Sequence, residues 1–239
     1  MTWNPIRLAW GLWAWLLLPP LLLIAAIPIL ALPTLPQRRA LARMVCRAYF
    51  LLCGLPVRVI GLERLPPGAC IIVANHASYV DGPLLFGCLP PRFGFVIKKE
   101  ASRLPLAGQL MHRLGHHFVE RQNRHQGAGD ARRILRAVEQ GQPVAFFPEG
   151  TFTAAAGLAR FHSGAFVAAA RAGVPVAPVV IRGTRAILRA GSILPRWGRI
   201  EVEVLDALDA VTGAGDTATQ LRDIAHARIA AALGEPTRT

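Results

Sequence analysis

Ile71-Ile72-Val73-Ala74-Asn75-His76-Ala77-Ser78-Tyr79-Val80-Asp81-Gly82 runs from four apolar residues, three of them β-branched, straight into a polar loop. The apolar tetrapeptide has the composition of a strand buried on both faces, as in α/β proteins whose sheet is covered by helices on either side. Reactive groups in such folds gather where strands end. His76 and Asp81, five residues apart, fall on that loop. A turn can bring the carboxylate onto one ring nitrogen and leave the other free as a base, which takes a proton from a serine, a cysteine or a substrate hydroxyl.

Outward from this stretch the same rhythm repeats, and it predicts strands at 57–60, 70–74, 93–97, 117–120, 144–147, 176–181 and 200–204. Helices are predicted at 81–88, 106–114, 129–140, 164–172 and 216–233, with Gly141 and Gly173 placed as C-terminal caps. No internal repeat or low-complexity linker interrupts the pattern. With 239 residues, 53% of them hydrophobic and 17% charged, the chain is too apolar to be disordered and suits one α/β domain.

A second polar turn follows another apolar strand: Phe146-Phe147-Pro148-Glu149-Gly150-Thr151. It can present backbone N–H groups and a carboxylate at the same sheet edge as the His76/Asp81 pair. No metal site is indicated, because His112, His116 and His117 lack carboxylate or thiolate company. Cys46, Cys53, Cys70 and Cys88 form no CxxC pair and stand in apolar surroundings, which predicts buried reduced thiols and a cytosolic domain.

Charge narrows the partners. The 27 Lys+Arg exceed the 14 Asp+Glu by 13, and the only lysines are Lys98 and Lys99. An arginine-rich surface prefers anions, whether nucleic acid, acidic lipid or phosphorylated small molecules. Arg132, Arg133 and Arg136 share a predicted helix without interleaved aromatics or a nucleic-acid motif, so no nucleic-acid partner is expected.

The N-terminus directs the charge toward a membrane. No charged residue occurs between Arg7 and Arg38, and residues 8–35 are mainly Leu, Ile, Ala, Trp and Pro. That run is long enough to cross a bilayer, but Pro19-Pro20 divides it. A kinked transmembrane helix and two short helices within one leaflet satisfy the pattern equally, and both attach the chain to a membrane. Arg38, Arg39, Arg43 and Arg47 follow the run, so the domain downstream is expected on the cytoplasmic face of the inner or plasma membrane. The apolar run exceeds the core of a cleaved signal peptide.

Taken in order, Asn-His-x4-Asp at 75–81 and Phe-Pro-Glu-Gly-Thr at 147–151 resemble the glycerolipid acyltransferase family that includes the 1-acylglycerol-3-phosphate acyltransferases. Lys98-Lys99-Glu100, Pro105-Leu106-Ala107-Gly108, Phe118-Val119-Glu120-Arg121 and Val174-Pro175-Val176-Ala177-Pro178-Val179 extend the resemblance over roughly residues 55 to 205. It implies a membrane-associated segment at 1–47 and an acyltransferase domain at 48–239 with a mixed central sheet flanked by helices. The implied reaction moves an acyl group from acyl-CoA or acyl-carrier protein, without a cofactor, to the free hydroxyl of a lysophospholipid. The acceptor implied is 1-acylglycerol-3-phosphate, giving phosphatidic acid.

On this sequence the resemblance makes His76 the base and Asp81 its orienting carboxylate. It places Arg121, Glu149, Gly150, Thr151 and Lys98 at the acceptor, with Arg121 gripping phosphate and Lys98 and Lys99 as weaker anion contacts. Two departures from the family pattern occur: Phe152 stands where the family segment continues with arginine, which bears on the acceptor, and Glu120 replaces a common aspartate. Arg160, Arg182 or Arg185 would have to compensate, or the acceptor is a less charged lysolipid such as a lyso-aminolipid. A non-catalytic lipid-binding protein is the competing reading, and the intact His76/Asp81 pair argues against it.

Overall fold

The computed structural model describes residues 5–120, 124–210 and 217–238, with the backbone alone over 124–128. In chain order the elements are α1 (Pro5–Ala31), α2 (Leu35–Leu52), β1 (Val57–Ile60), β2 (Ile71–Ala74), α3 (Asp81–Cys88), β3 (Gly94–Lys98) and α4 (Ala107–Arg113). Then come β4 (His117–Val119), α5 (Arg124–Glu139), β5 (Val144–Phe146), α6 (Gly164–Ala172), β6 (Val176–Arg182), α7 (Thr184–Ile187), β7 (Ile200–Val204) and α8 (Thr217–Leu233). Every predicted strand is present to within a residue at each end. Helix α5 starts five residues before its predicted position, and the single turn α7 has no counterpart in the prediction.

The strands form one sheet in the order β1-β7-β6-β2-β5-β3-β4. All neighbours are parallel except β6 and β7, so β1 and β7 run against the other five and the sheet is mixed. Strand β2 is central and fully buried, as its β-branched run requires. Its side chains alternate between two cores. Ile71 and Val73 pack with α5, α6 and α8, whereas Ile72 and Ala74 face the layer built by α1 to α4. Gly173 ends α6 in the left-handed conformation at φ 63°, the C-cap that its position in the sequence predicts.

Helix α1 corrects one expectation. Pro19-Pro20 does not divide it, and the chain stays helical to Ala31 before turning through residues 32–34 into α2. The two prolines withhold two N–H donors. In apolar surroundings every other backbone group still needs its helical partner, which favours continuing the helix over opening it. Helix α1 is long and apolar enough to cross a membrane by length and composition.

Both ends of α1 are nonetheless tied to the domain. Trp10 donates to the carbonyl of Cys53 (2.9 Å) and Trp15 to that of Ile193 (2.6 Å). At the far end Arg113 donates to the carbonyl of Leu30, and Arg38 Nε to that of Leu32 (2.7 Å). Helix α2 runs on through position 47 to pack against α3, and its Arg39 is buried. The Arg39 guanidinium donates to the carbonyls of Leu114 (2.8 Å), Arg92 (2.6 Å) and Gly115 (3.1 Å), placing a cation beyond the C-terminus of α4.

Candidate active site

The loop after β2 folds around one oxygen atom. Asp81 is fully buried in the first turn of α3, and its Oδ2 accepts the backbone N–H groups of Ala77 (2.7 Å) and Ser78 (2.8 Å). The same oxygen lies 2.8 Å from Nδ1 of His76. Three donors converging at a helix N-terminus stabilise the carboxylate. With Nδ1 donating to Asp81, the neutral imidazole carries its lone pair on Nε2, the tautomer a general base needs. Ser78 braces the loop by donating from Oγ to the carbonyl of Leu188 (2.6 Å).

The second motif closes on the first. Glu149 is buried, and its two carboxylate oxygens accept the backbone N–H of His76 (2.6 Å) and of Ala159 (2.8 Å). Burial raises its pKa, and the two backbone bonds partly counter that shift. With both oxygens occupied in this way, Glu149 holds the strand-end loops together and is absent from the cavity wall described below. Gly150, at φ 79°, makes the turn that brings Thr151 and Phe152 to the cavity.

Aromatic rings set the angle of the histidine. Phe147 stacks on the His76 ring at 4.3 Å and 22°, and Phe152 meets it at 4.4 Å and 60°. Tyr79 packs edge-on against Phe152 at 4.8 Å. The position where an arginine was expected therefore holds a ring that positions the base.

His76 lines a cavity of about 740 Å³, within the range of small-molecule sites. Tyr79, Lys98, Phe147, Gly150, Thr151 and Phe152 share its wall with His76. The rest of the lining is largely apolar, with Phe86, Phe95, Leu110, Met111 and Leu114, and with Leu22, Ala25 and Ile29 from α1. His116 joins this wall. Its Nδ1 accepts the N–H of Phe95 (3.2 Å), and burial pushes its pKa down to about 3, so the ring is neutral.

Of the residues singled out in sequence, His76, Lys98, Gly150 and Thr151 come together at the cavity, and Asp81 and Glu149 stand directly behind His76. Arg121 lies outside the described residues. Lys98 pairs with Glu100 at 3.2 Å and Lys99 with Glu120 at 4.0 Å. Arg182 is bound to Glu201 and Glu203, both at 2.8 Å, and Arg185 to Glu235 at 2.7 Å. Neither these two nor Arg160 lines the cavity.

Asn75 is the residue whose role the sequence did not disclose. Its amide donates to the carbonyl of Ile181 (2.8 Å) and accepts the N–H of Ile181 (2.7 Å), continuing the β2–β6 ladder past the end of β2 and so fixing where the His76 loop begins. The signal available in sequence was a polar amide directly after a buried strand. The four cysteines are free, and burial raises their thiol pKa values, to about 12 for Cys46 and about 11 for Cys70 and Cys88.

The chain is similar to several known acyltransferases. Similar proteins include a 1-acyl-sn-glycerol-3-phosphate acyltransferase of Chlamydomonas reinhardtii, 34% identical over 74% of this chain and 53% of its own length. Another from Haemophilus influenzae is 33% identical over 65% of this chain and 63% of its own. A lyso-ornithine lipid O-acyltransferase of Pseudomonas aeruginosa is 38% identical over 55% and 50%. The chain thus spans about half the length of the curated relatives it matches. The crystal structure of the 1-acyl-sn-glycerophosphate acyltransferase PlsC from Thermotoga maritima shares the fold, with a TM-score of 0.80 over 95% of this chain and 94% of that one at 21% identity. The model of the Acyltransferase family matches residues 56–182, from the first strand through both motif loops to the end of β6, and the chain belongs to that family.

Proposed function

We propose that the protein is a membrane-associated lysolipid O-acyltransferase that acylates 1-acylglycerol-3-phosphate to phosphatidic acid in phospholipid biosynthesis. The observation that carries this reading is the His76/Asp81 pair at a largely apolar cavity. Nε2 of His76 takes the proton of the acceptor hydroxyl as its oxygen attacks the thioester carbonyl. The new C–O bond forms, the C–S bond breaks, and the proton passes from His76 to the departing thiolate. Asp81 stabilises the imidazolium between these steps. The acyl chain lies in the apolar part of the cavity. No cofactor is needed, and the donor is acyl-CoA or acyl-carrier protein.

Lys98, Thr151 and Gly150 stand at the acceptor end of the cavity in this reading, with Arg121 as the phosphate grip. Glu149 acts as a positioning residue. A second acceptor class, a lyso-aminolipid, is favoured by one observation: Phe152 presents an aromatic ring where a cation would meet a dianionic phosphate. The similarity to the P. aeruginosa protein supports the same alternative.

The membrane segment is 1–47, ahead of a catalytic domain at 48–239, and it lies within one leaflet. A helix of 27 residues is about 40 Å long. Standing across the bilayer while bound to the domain at both ends, it would carry α4 and the arginines of α2 into the hydrocarbon. Lying along the surface it does not, and the arginines after it place the domain on the cytoplasmic face.

A matrix of acyl-CoA and acyl-carrier-protein donors against lysophosphatidate, other lysophospholipids and lyso-ornithine lipid tests the reading. Ester product in the lysophosphatidate column supports it, and product only with lyso-ornithine lipid moves the acceptor to the second class. Lipid binding with no product in any column overturns the enzyme in favour of a lipid-binding protein.

A further inference from the structure

The most exposed large apolar side chain among the described residues is Ile193, at 84%, far in sequence from α1. Its loop, residues 188–198, also exposes Trp197 at 55%. The loop is closed on itself by the N–H of Arg196 donating to the carbonyl of Ile187 (2.8 Å), and it is locked onto α1. Trp15 of α1 donates to the carbonyl of Ile193, and Leu194 packs so closely over Gly11 that any side chain there would collide with it. Trp197 in turn donates to the carbonyl of Gly54, just past the end of α2 (2.8 Å). The loop, the first half of α1 and the end of α2 therefore form one continuous surface. On it Leu12, Trp13, Leu16, Leu51, Leu52, Ile193 and Trp197 are exposed.

Two features say what covers this surface. Trp13, Trp15 and Trp197 are exposed, yet each indole N–H is already bonded to a backbone carbonyl. The outward part of each ring is hydrocarbon with no polar atom left for water, a state suited to an apolar solvent. The charge around it is mainly basic, with Glu235, ion-paired to Arg185 at 2.7 Å, lining the same pocket as Arg189 and Arg196. No Asp or Glu occurs in residues 1–62 or in residues 183–200, whereas Arg185, Arg189, Arg196 and Arg199 fall in the second stretch. Arg189, Arg196 and Arg199 are exposed. Apolar side chains amid an excess of exposed arginines are complementary to a leaflet bearing anionic headgroups.

We infer that loop 188–198 is a second membrane-inserting element, which buries Ile193 and Trp197 in the acyl region of an anionic leaflet beside α1. This rests on the proposal that α1 lies in one leaflet. Because Ser78 Oγ is bonded to the carbonyl of Leu188, the inserted loop also sets the depth of the His76 loop relative to the lipid.

Depth-dependent quenching tests it with the full chain reconstituted in vesicles of mixed phosphatidylglycerol and phosphatidylcholine. Cysteine is introduced singly as Ile193→Cys, Leu16→Cys and Arg171→Cys, and each is labelled with an environment-sensitive fluorophore at neutral pH. The native thiols, with raised pKa values, react slowly under those conditions. Residue 171 is an exposed position on α6, in the layer across the sheet from α1. Spin-labelled lipid is expected to quench probes at 16 and 193 at least fivefold more than the probe at 171. Quenching at 16 with position 193 as dark to lipid as 171 overturns this inference and leaves the α1 reading intact. Absence of quenching at both 16 and 193 overturns the two together. Quenching at 193 should weaken in pure phosphatidylcholine, and equal quenching there would remove the anionic headgroup from the proposal.

Discussion

Strand β2 contributes Ile71 and Val73 to one face of the sheet and Ile72 and Ala74 to the other, and the two faces lead to different interiors. Across the first, α5, α6 and α8 pack tightly, with Phe161 and Phe166 stacked at 6.2 Å and Ile134, Val138, Leu221 and Ile229 buried around them. Across the second, α1 to α4 leave open the 740 Å³ cavity that His76 lines, with Ala25 and Ala42 in its wall. Both faces are apolar, so hydrophobicity alone does not explain the difference. What differs is the origin of the covering helices. The closed face is covered by helices that return to the sheet, whereas the open one borrows two N-terminal helices that also face a membrane in our reading.

The comparison is broken most severely at His76. His76→Ala leaves the sheet and both layers in place, and is expected to lower the acyl-transfer rate by roughly 10²–10⁴-fold with an unchanged melting temperature. Thermal melting alongside single-turnover kinetics checks both halves.

On the closed face, Phe166→Ala should act in the opposite way. Phe166 is fully buried, and its truncation costs about 3–5 kcal/mol while leaving the order of acyl-chain preference unchanged. Urea denaturation and a donor-length series separate the two effects.

His116 gives the open face a pH signature. Its pKa in the folded protein is about 3, below the ordinary value near 6.5, so the unfolded chain binds the extra proton between those values. This contribution to stability is fully present above about 6.5 and is lost as pH falls toward 3. His116→Phe is expected to flatten that part of the profile, and an unchanged acid slope in melting temperature would count against it.

The smallest effect is expected from filling the cavity. Ala25→Phe should lower activity with the longest acyl donors about tenfold while sparing short ones. A uniform loss at all lengths would mean that the acyl chain does not reach α1.

The strands were legible because buried strands need near-continuous apolar runs, which 71–74, 144–146 and 176–181 supply. The pairing of His76 with Asp81 was legible for a related reason, since both lie on one short loop. Glu149 was visible as a motif member but not in its function, because its partners, the N–H groups of His76 and Ala159, belong to separate segments. Arg182 and Arg185 looked like free cations in a basic sequence. In the fold their carboxylate partners Glu201, Glu203 and Glu235 reach them from β7 and the C-terminal end.

Local composition by itself thus determined the α/β class, the two strand-end loops, the apolar N-terminal segment and the basic surface, because each depends on neighbours within a few residues. Tertiary structure alone decided that α1 runs unbroken through Pro19-Pro20, that α1 and α2 wall the cavity, that Phe152 positions His76, and that Ile193 joins the surface of α1. Those features depend on contacts between segments up to 178 residues apart, such as Trp15 with Ile193. Which long-range contact forms is set by the competition among all segments for the same buried area, and that competition is resolved only when the whole chain packs.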